Sequence, residues 1–165
     1  MISLCKTSMY GLVFSLLCLA WMGQADGWAA PLDSVREPAN SRPTLFVAGD
    51  STASNGAENG WGSHLQKFFD PEQLSVVNRA RGGRSSRTFV TEGLWDGILK
   101  ELKAGDTVMI QFGHNDAGAI NDDRRARGSI PSLGDETQEI DNQVTGKHEV
   151  VYTFGWYMRK MIAET

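Results

Sequence analysis

The sequence predicts an α/β fold built on a doubly wound parallel sheet. Two observations carry that prediction. Short, continuous apolar runs alternate with stretches of helical spacing, the pattern of buried parallel strands joined by crossover helices. Each apolar run also ends in glycine and small polar residues, as strands do where they feed a loop at the sheet's carboxyl edge.

Taken in order, Thr44 to Ala48 is apolar and closes on Gly49, which reads as the first strand. A Gly/Asn-rich loop, Asn55 to Gly60, follows. Trp61, Leu65, Phe68 and Phe69 then recur at helical spacing, and Pro71 ends the stretch. Leu74 to Val77 is the second strand, and Arg81 to Arg84 a glycine-containing turn. Residues 85–102 read as one helix with Leu94, Ile98 and Leu102 on a face, stopped near Gly105. Thr107 to Phe112 is the third strand. Residues 117–147 are polar and aperiodic, a long surface excursion. Val150, Phe154, Met158 and Ile162 restore helical spacing through Val150 to Ile162. That helix runs to Glu164 and Thr165 with no stop signal, where a right-handed crossover calls for another strand. The domain, residues 44–165, is therefore expected to be truncated at its C-terminus.

The beginning of the chain has a different character. Lys6 is the sole charge before Asp26, Met9 to Met22 is a mostly apolar run, and small residues follow at Gly23, Ala25, Ala29 and Ala30. This is the layout of a secretory signal peptide over residues 1–30, cut near 25–30. The apolar run is short for a membrane span, so no stable membrane insertion of the mature chain is expected. Residues 31–43, with Pro31, Pro38 and Pro43, read as a linker. Both cysteines, Cys5 and Cys18, fall in the leader, so the mature chain builds neither a disulfide nor a cysteine metal site. The location implied is secreted or periplasmic. A net charge of −4 offers no basis for a nucleic-acid partner.

The chemistry follows the strands. Gly49-Asp50-Ser51-Thr52 comes after the first, Gly82-Gly83-Arg84-Ser85 after the second, and Gly113-His114-Asn115-Asp116 after the third. Ligands of open parallel sheets bind outside the strands' carboxyl ends, so these groups are candidates to converge. A serine hydroxyl needs a base to become a nucleophile, and a tetrahedral intermediate needs donors aimed at its oxygen. A serine, a glycine N–H and an asparagine amide supply most of that set.

These blocks carry a family resemblance. Val47-Ala48-Gly49-Asp50-Ser51-Thr52, Gly82-Gly83-Arg84-Ser85-Ser86-Arg87 and Phe112-Gly113-His114-Asn115-Asp116 resemble, in order, three blocks of the SGNH (GDSL-type) serine hydrolases. The second block and Asn59-Gly60-Trp61-Gly62 are similar to the forms found in rhamnogalacturonan acetylesterases. The resemblance implies a flavodoxin-like fold, with Ser51 as nucleophile. It places the backbone N–H groups of Ser51 and Gly83 and the Asn115 amide in the oxyanion hole. The implied reaction removes O-acetyl groups from a pectin-like polysaccharide, with acetylated polysaccharide as partner and no cofactor. The family's fourth block, Asp-x-x-His, which supplies the base, does not occur in this sequence. The chain as given is thus expected to be inactive, with a histidine beyond residue 165 as base.

Blander readings stand beside these. Ser51 is also placed to cap a following helix. Asp50 reads as a turn residue, and Gly83 and Asn115 also fit loop-holding roles. His114 beside Asp116 invites assignment as base, but the family pattern gives it none. Arg84 and Arg87, from a cluster with Arg79 and Arg81, are candidates to bind galacturonate carboxylates, against the alternative of a salt-bridged surface. Trp61, Trp95 and Trp156 are more often core than sugar platforms. A lipase or thioesterase of the same fold, or a non-catalytic secreted carbohydrate-binding protein, remains the alternative.

Overall fold

The computed structural model describes residues 42–165; the leader and most of the linker lie outside the described residues. Three strands, β1 (Thr44–Gly49), β2 (Ser75–Asn78) and β3 (Thr107–Gln111), form a parallel sheet in the order β2-β1-β3. This is the α/β arrangement that the apolar runs predict. In the register, Val47 lies opposite Asn78 and Gly49 opposite Gln111, so all three strands end at one edge of the sheet.

The core explains the central position of β1. Leu45, Phe46, Val47 and Ala48 are all buried, as a strand flanked on both edges requires. Phe46 and Ala48 cluster with Phe89 of α1 (Ser86–Thr91), Trp95 and Ile98 of α2 (Leu94–Glu101), and Met161 of α3 (Phe154–Ala163). Three helices thus share one apolar cluster with the sheet. The outer edge of β2 is tied down by one side chain: Gln66 Oε1 accepts from Val76 N at 2.8 Å and its Nε2 donates to Leu74 O at 3.2 Å. Trp95, read as core, is fully buried, and its Nε1 donates to Glu164 at 2.8 Å. No helix among the described residues is long and apolar enough to cross a membrane.

Four elements differ from the sequence reading. Trp61–Phe68 is a 3-10 helix, not an α-helix. Its side chains recur every three residues, and Phe68 stays 79% exposed, so the apolar spacing there marks no buried stripe. Residues 85–102 form two helices, because Gly93 takes a left-handed conformation (φ 75°) and restarts the chain as α2. Glycine adopts that conformation without the penalty of a Cβ. The excursion 117–147 holds β4 (Thr137–Asp141), which pairs antiparallel with β5 (His148–Tyr152). Val150, read as the start of a helix, therefore lies in a strand. The β-branched pair Val150-Val151 favours extended backbone, and Thr153 starts α3 by accepting from Trp156 N at 2.9 Å.

Candidate active site

The site begins at the turn after β1. Asp50 is fully buried, and its Oδ1 accepts from the N–H and the hydroxyl of Thr52, at 2.9 and 2.8 Å. This is the turn-residue role read from sequence, and it fixes the backbone that carries Ser51. The segment after Ser51 turns instead of entering a helix. The helix-cap reading of Ser51 therefore fails, and the partly buried Ser51 lines a cavity. Behind it, Gly62 packs against the same loop. A Cβ there would collide with Ala53 O and lie 2.5 Å from Asn78 Nδ2. That contact accounts for the glycine of Asn59-Gly60-Trp61-Gly62. Gly62→Ala is expected to cost about 1–3 kcal/mol through overpacking, measured by urea denaturation; an unchanged midpoint would show that the loop yields freely.

The turn after β2 is braced from β1: Arg81 N donates to Gly49 O at 2.9 Å. Gly83 follows in this turn, and Ser85 then caps α1. The Ser85 side chain accepts from Thr88 N while Thr88 Oγ1 accepts from Ser85 N, a reciprocal capping box. The loop after β3 docks onto this cap. Asp116 Oδ1 accepts from Ser86 Oγ at 2.5 Å, Ser86 N at 3.1 Å and Ser129 Oγ at 3.0 Å. Next to it, the buried Asn115 donates from Nδ2 to Arg84 O at 2.7 Å. An amide nitrogen carries two hydrogens, so one remains for a ligand.

Ser51, Gly83 and Asn115 line one cavity of about 560 Å³, together with His114. The three groups singled out in the sequence thus meet at one place. His114 is exposed there, but Asp116 does not orient it, since that carboxylate binds Ser86 and Ser129. His64 and His148 are not among the cavity's lining residues.

The arginines divide. Arg84 lines the cavity with its Nε on Glu92 at 2.9 Å and its Nη1 on Gly82 O at 3.1 Å. Arg87 does not reach a ligand. Its side chain is fully buried, paired bidentately with Glu149 at 2.7 and 2.6 Å, and its Nη1 donates to Ile120 O and Gly128 O. The expectation of substrate binding by Arg87 is corrected: a guanidinium with its donors spent inside the protein joins α1 to β5.

The sequence reading missed a second wall. Arg124, Arg125 and Arg127, from the supposedly featureless excursion, line the cavity, as does Val144 in the loop between β4 and β5. Asp122 Oδ1 accepts from the backbone N–H groups of Arg124, Arg125 and Ala126 at 3.0, 2.6 and 2.8 Å. These bonds, led by that of Arg125, hold its carboxyl below the usual range. Ala126, buried with φ 41°, completes this bend. The readable signal was Asp122 just ahead of three arginines, an Asx-type turn presenting cations.

No family model matches the chain. Over 121 residues it is 39% identical to rhamnogalacturonan acetylesterase of Emericella nidulans, a match covering 73% of this chain and 46% of that protein. It is 42% identical over 77 residues to rhamnogalacturonan acetylesterase RhgT of Bacillus subtilis, covering 44% of this chain and 33% of that one. The crystal structure of protein YxiM from Bacillus subtilis superposes with a TM-score of 0.53 at 27% identity, over 75% of this chain and 29% of that one. The chain spans less than half the length of these relatives. With three sequence blocks meeting at one cavity on a β2-β1-β3 parallel sheet, and with these likenesses, the chain is similar in sequence to rhamnogalacturonan acetylesterases and in fold to an SGNH (GDSL-type) esterase.

Proposed function

We propose that the protein is an exported serine esterase that removes O-acetyl groups from a pectin-like, rhamnogalacturonan-type polysaccharide. The observation that carries this reading is the meeting of Ser51, Gly83 and Asn115 around one cavity. Export rests on the signal-like leader, and the substrate class on what the relatives are named for.

In the proposed reaction Ser51 Oγ attacks the acetyl carbonyl, and a histidine base takes the hydroxyl proton. The negative oxygen of the tetrahedral intermediate sits among the N–H groups of Ser51 and Gly83 and the free hydrogen of the Asn115 amide. The intermediate collapses by breaking the bond to the sugar oxygen, which leaves with the proton returned by the base. Water, deprotonated by the same base, then releases acetate from Ser51. The base in this proposal is a histidine oriented by an aspartate, as in the family's Asp-x-x-His block. His114 lacks such an orienting partner among the described residues.

A serine-directed phosphonate tests both assignments on the natural polypeptide. Labelling is expected on Ser51, absent in Ser51→Ala and retained in His114→Ala. Labelling that survives Ser51→Ala would remove the nucleophile assignment; its loss in His114→Ala would make His114 the base.

A further inference from the structure

The wall facing Ser51 is cationic in a chain whose net charge is −4. Four arginines and one glutamate line the cavity. The glutamate, Glu92, is already bound by Arg84. Arg127 is braced against Gly83, its Nη1 donating to the Gly83 carbonyl at 2.8 Å. That leaves Arg124 and Arg125. Both are exposed, and neither guanidinium forms a salt bridge or side-chain hydrogen bond to a described residue. Their backbone is nevertheless held in place by the three N–H bonds to Asp122 and the left-handed bend at Ala126. An anchored turn that presents unpaired cations into a cavity is arranged to receive an anion.

We propose that Arg124 and Arg125 bind a carboxylate of the sugar chain whose acetyl ester lies at Ser51, and so set a preference for polyuronates over neutral acetylated sugars. A guanidinium matches a carboxylate with two parallel N–H donors. The field at the site agrees with the need for an anion: burial and the neighbouring Arg125 hold the Arg127 guanidinium below its ordinary pKa. Incoming negative charge would relieve that crowding. Arg127, bonded to the Gly83 carbonyl, ties this segment to the turn whose N–H is assigned to the oxyanion. The carboxylate site therefore adjoins the reaction centre. This assignment rests on the reading of the cavity as the place where an acetylated sugar chain binds.

The test is a binding measurement on the full chain, which needs no turnover. Titration of a galacturonate oligomer, and of the same oligomer with its carboxylates methyl-esterified, should show the acid form binding roughly tenfold tighter. That preference should weaken as salt is raised, since the pairs are exposed to solvent. It should vanish in Arg124→Gln/Arg125→Gln, which removes two exposed side chains and leaves the Asp122 backbone bonds intact. Equal binding of the two oligomers by the unaltered chain would overturn the proposal, whatever the variant does. So would a preference that persists in the folded double variant. Phosphonate labelling of Ser51 keeps the two readings apart. A charge preference without labelling would sink the esterase reading and leave the carboxylate site standing; labelling without a preference would do the reverse.

Discussion

Arg87→Met is expected to destabilise the protein by about 3–5 kcal/mol, the cost of leaving one member of a buried ion pair without its partner. The side chain is fully buried, and its guanidinium meets Glu149 bidentately while Nη1 donates to two carbonyls from the 117–147 segment. Methionine fills much of the volume but satisfies none of these acceptors. Removing both charges in Arg87→Met/Glu149→Leu should restore part of the loss, since two apolar groups leave no uncompensated carboxylate. Urea denaturation of the two single variants and the double variant measures the coupling. Strict additivity would show that the pair contributes nothing beyond its separate packing.

The same pair sets an acid limit. Burial pushes the Glu149 carboxyl up, but hydrogen bonds from Arg87 and Asn142, with the guanidinium charge, more than reverse this. Its pKa lies below the ordinary glutamate value. A carboxylate whose pKa is lowered by folding adds stability that is complete above its unfolded pKa. That stability disappears as pH falls through the lower, folded value. The ion pair therefore contributes fully at neutral pH and is lost only in acid, and the coupling energy between Arg87 and Glu149 should shrink there in the same denaturation series.

What the sequence disclosed and what it hid separate by distance along the chain. Ser51, Gly83 and Asn115 were legible because each follows a strand, and parallel strands deliver their ends to one edge whatever the helices do between them. The fate of Arg87 was not legible. Its partner Glu149 is 62 positions away, on a strand whose residues imitate a helix: Val150, Phe154, Met158 and Ile162 recur every four residues, although the first of them belongs to β5 and the other three to α3. Gly93 was hidden in the same way, since Leu94, Ile98 and Leu102 keep a helical period that begins only after the break. The turn at Asp122 lacked any period at all. Its order comes from one carboxylate gathering three N–H groups, and hydropathy does not register that.

For the proposed acetylesterase reaction, Asn115→Ala is expected to lower kcat/KM for an acetyl ester by about 10²–10³, the usual loss when one oxyanion donor is removed. The geometry allows a sharper statement. One Nδ2 hydrogen goes to the Arg84 carbonyl at 2.7 Å, and the other is the one assigned to the oxyanion, so alanine removes a structural bond together with a chemical one. The structural share is small, about 1 kcal/mol for one neutral hydrogen bond, because Asp116 independently holds this loop to Ser86 and Ser129. The two losses have different signatures. A positioning role alone would raise KM and lower the melting temperature while sparing kcat. A donor used in the transition state lowers kcat with little change in KM. Single-turnover acylation of Ser51 by an activated acetyl ester, compared between the natural chain and the variant, separates them. An acylation rate unchanged in Asn115→Ala would take the amide out of the oxyanion hole and leave it as a clamp between the loops that follow β2 and β3.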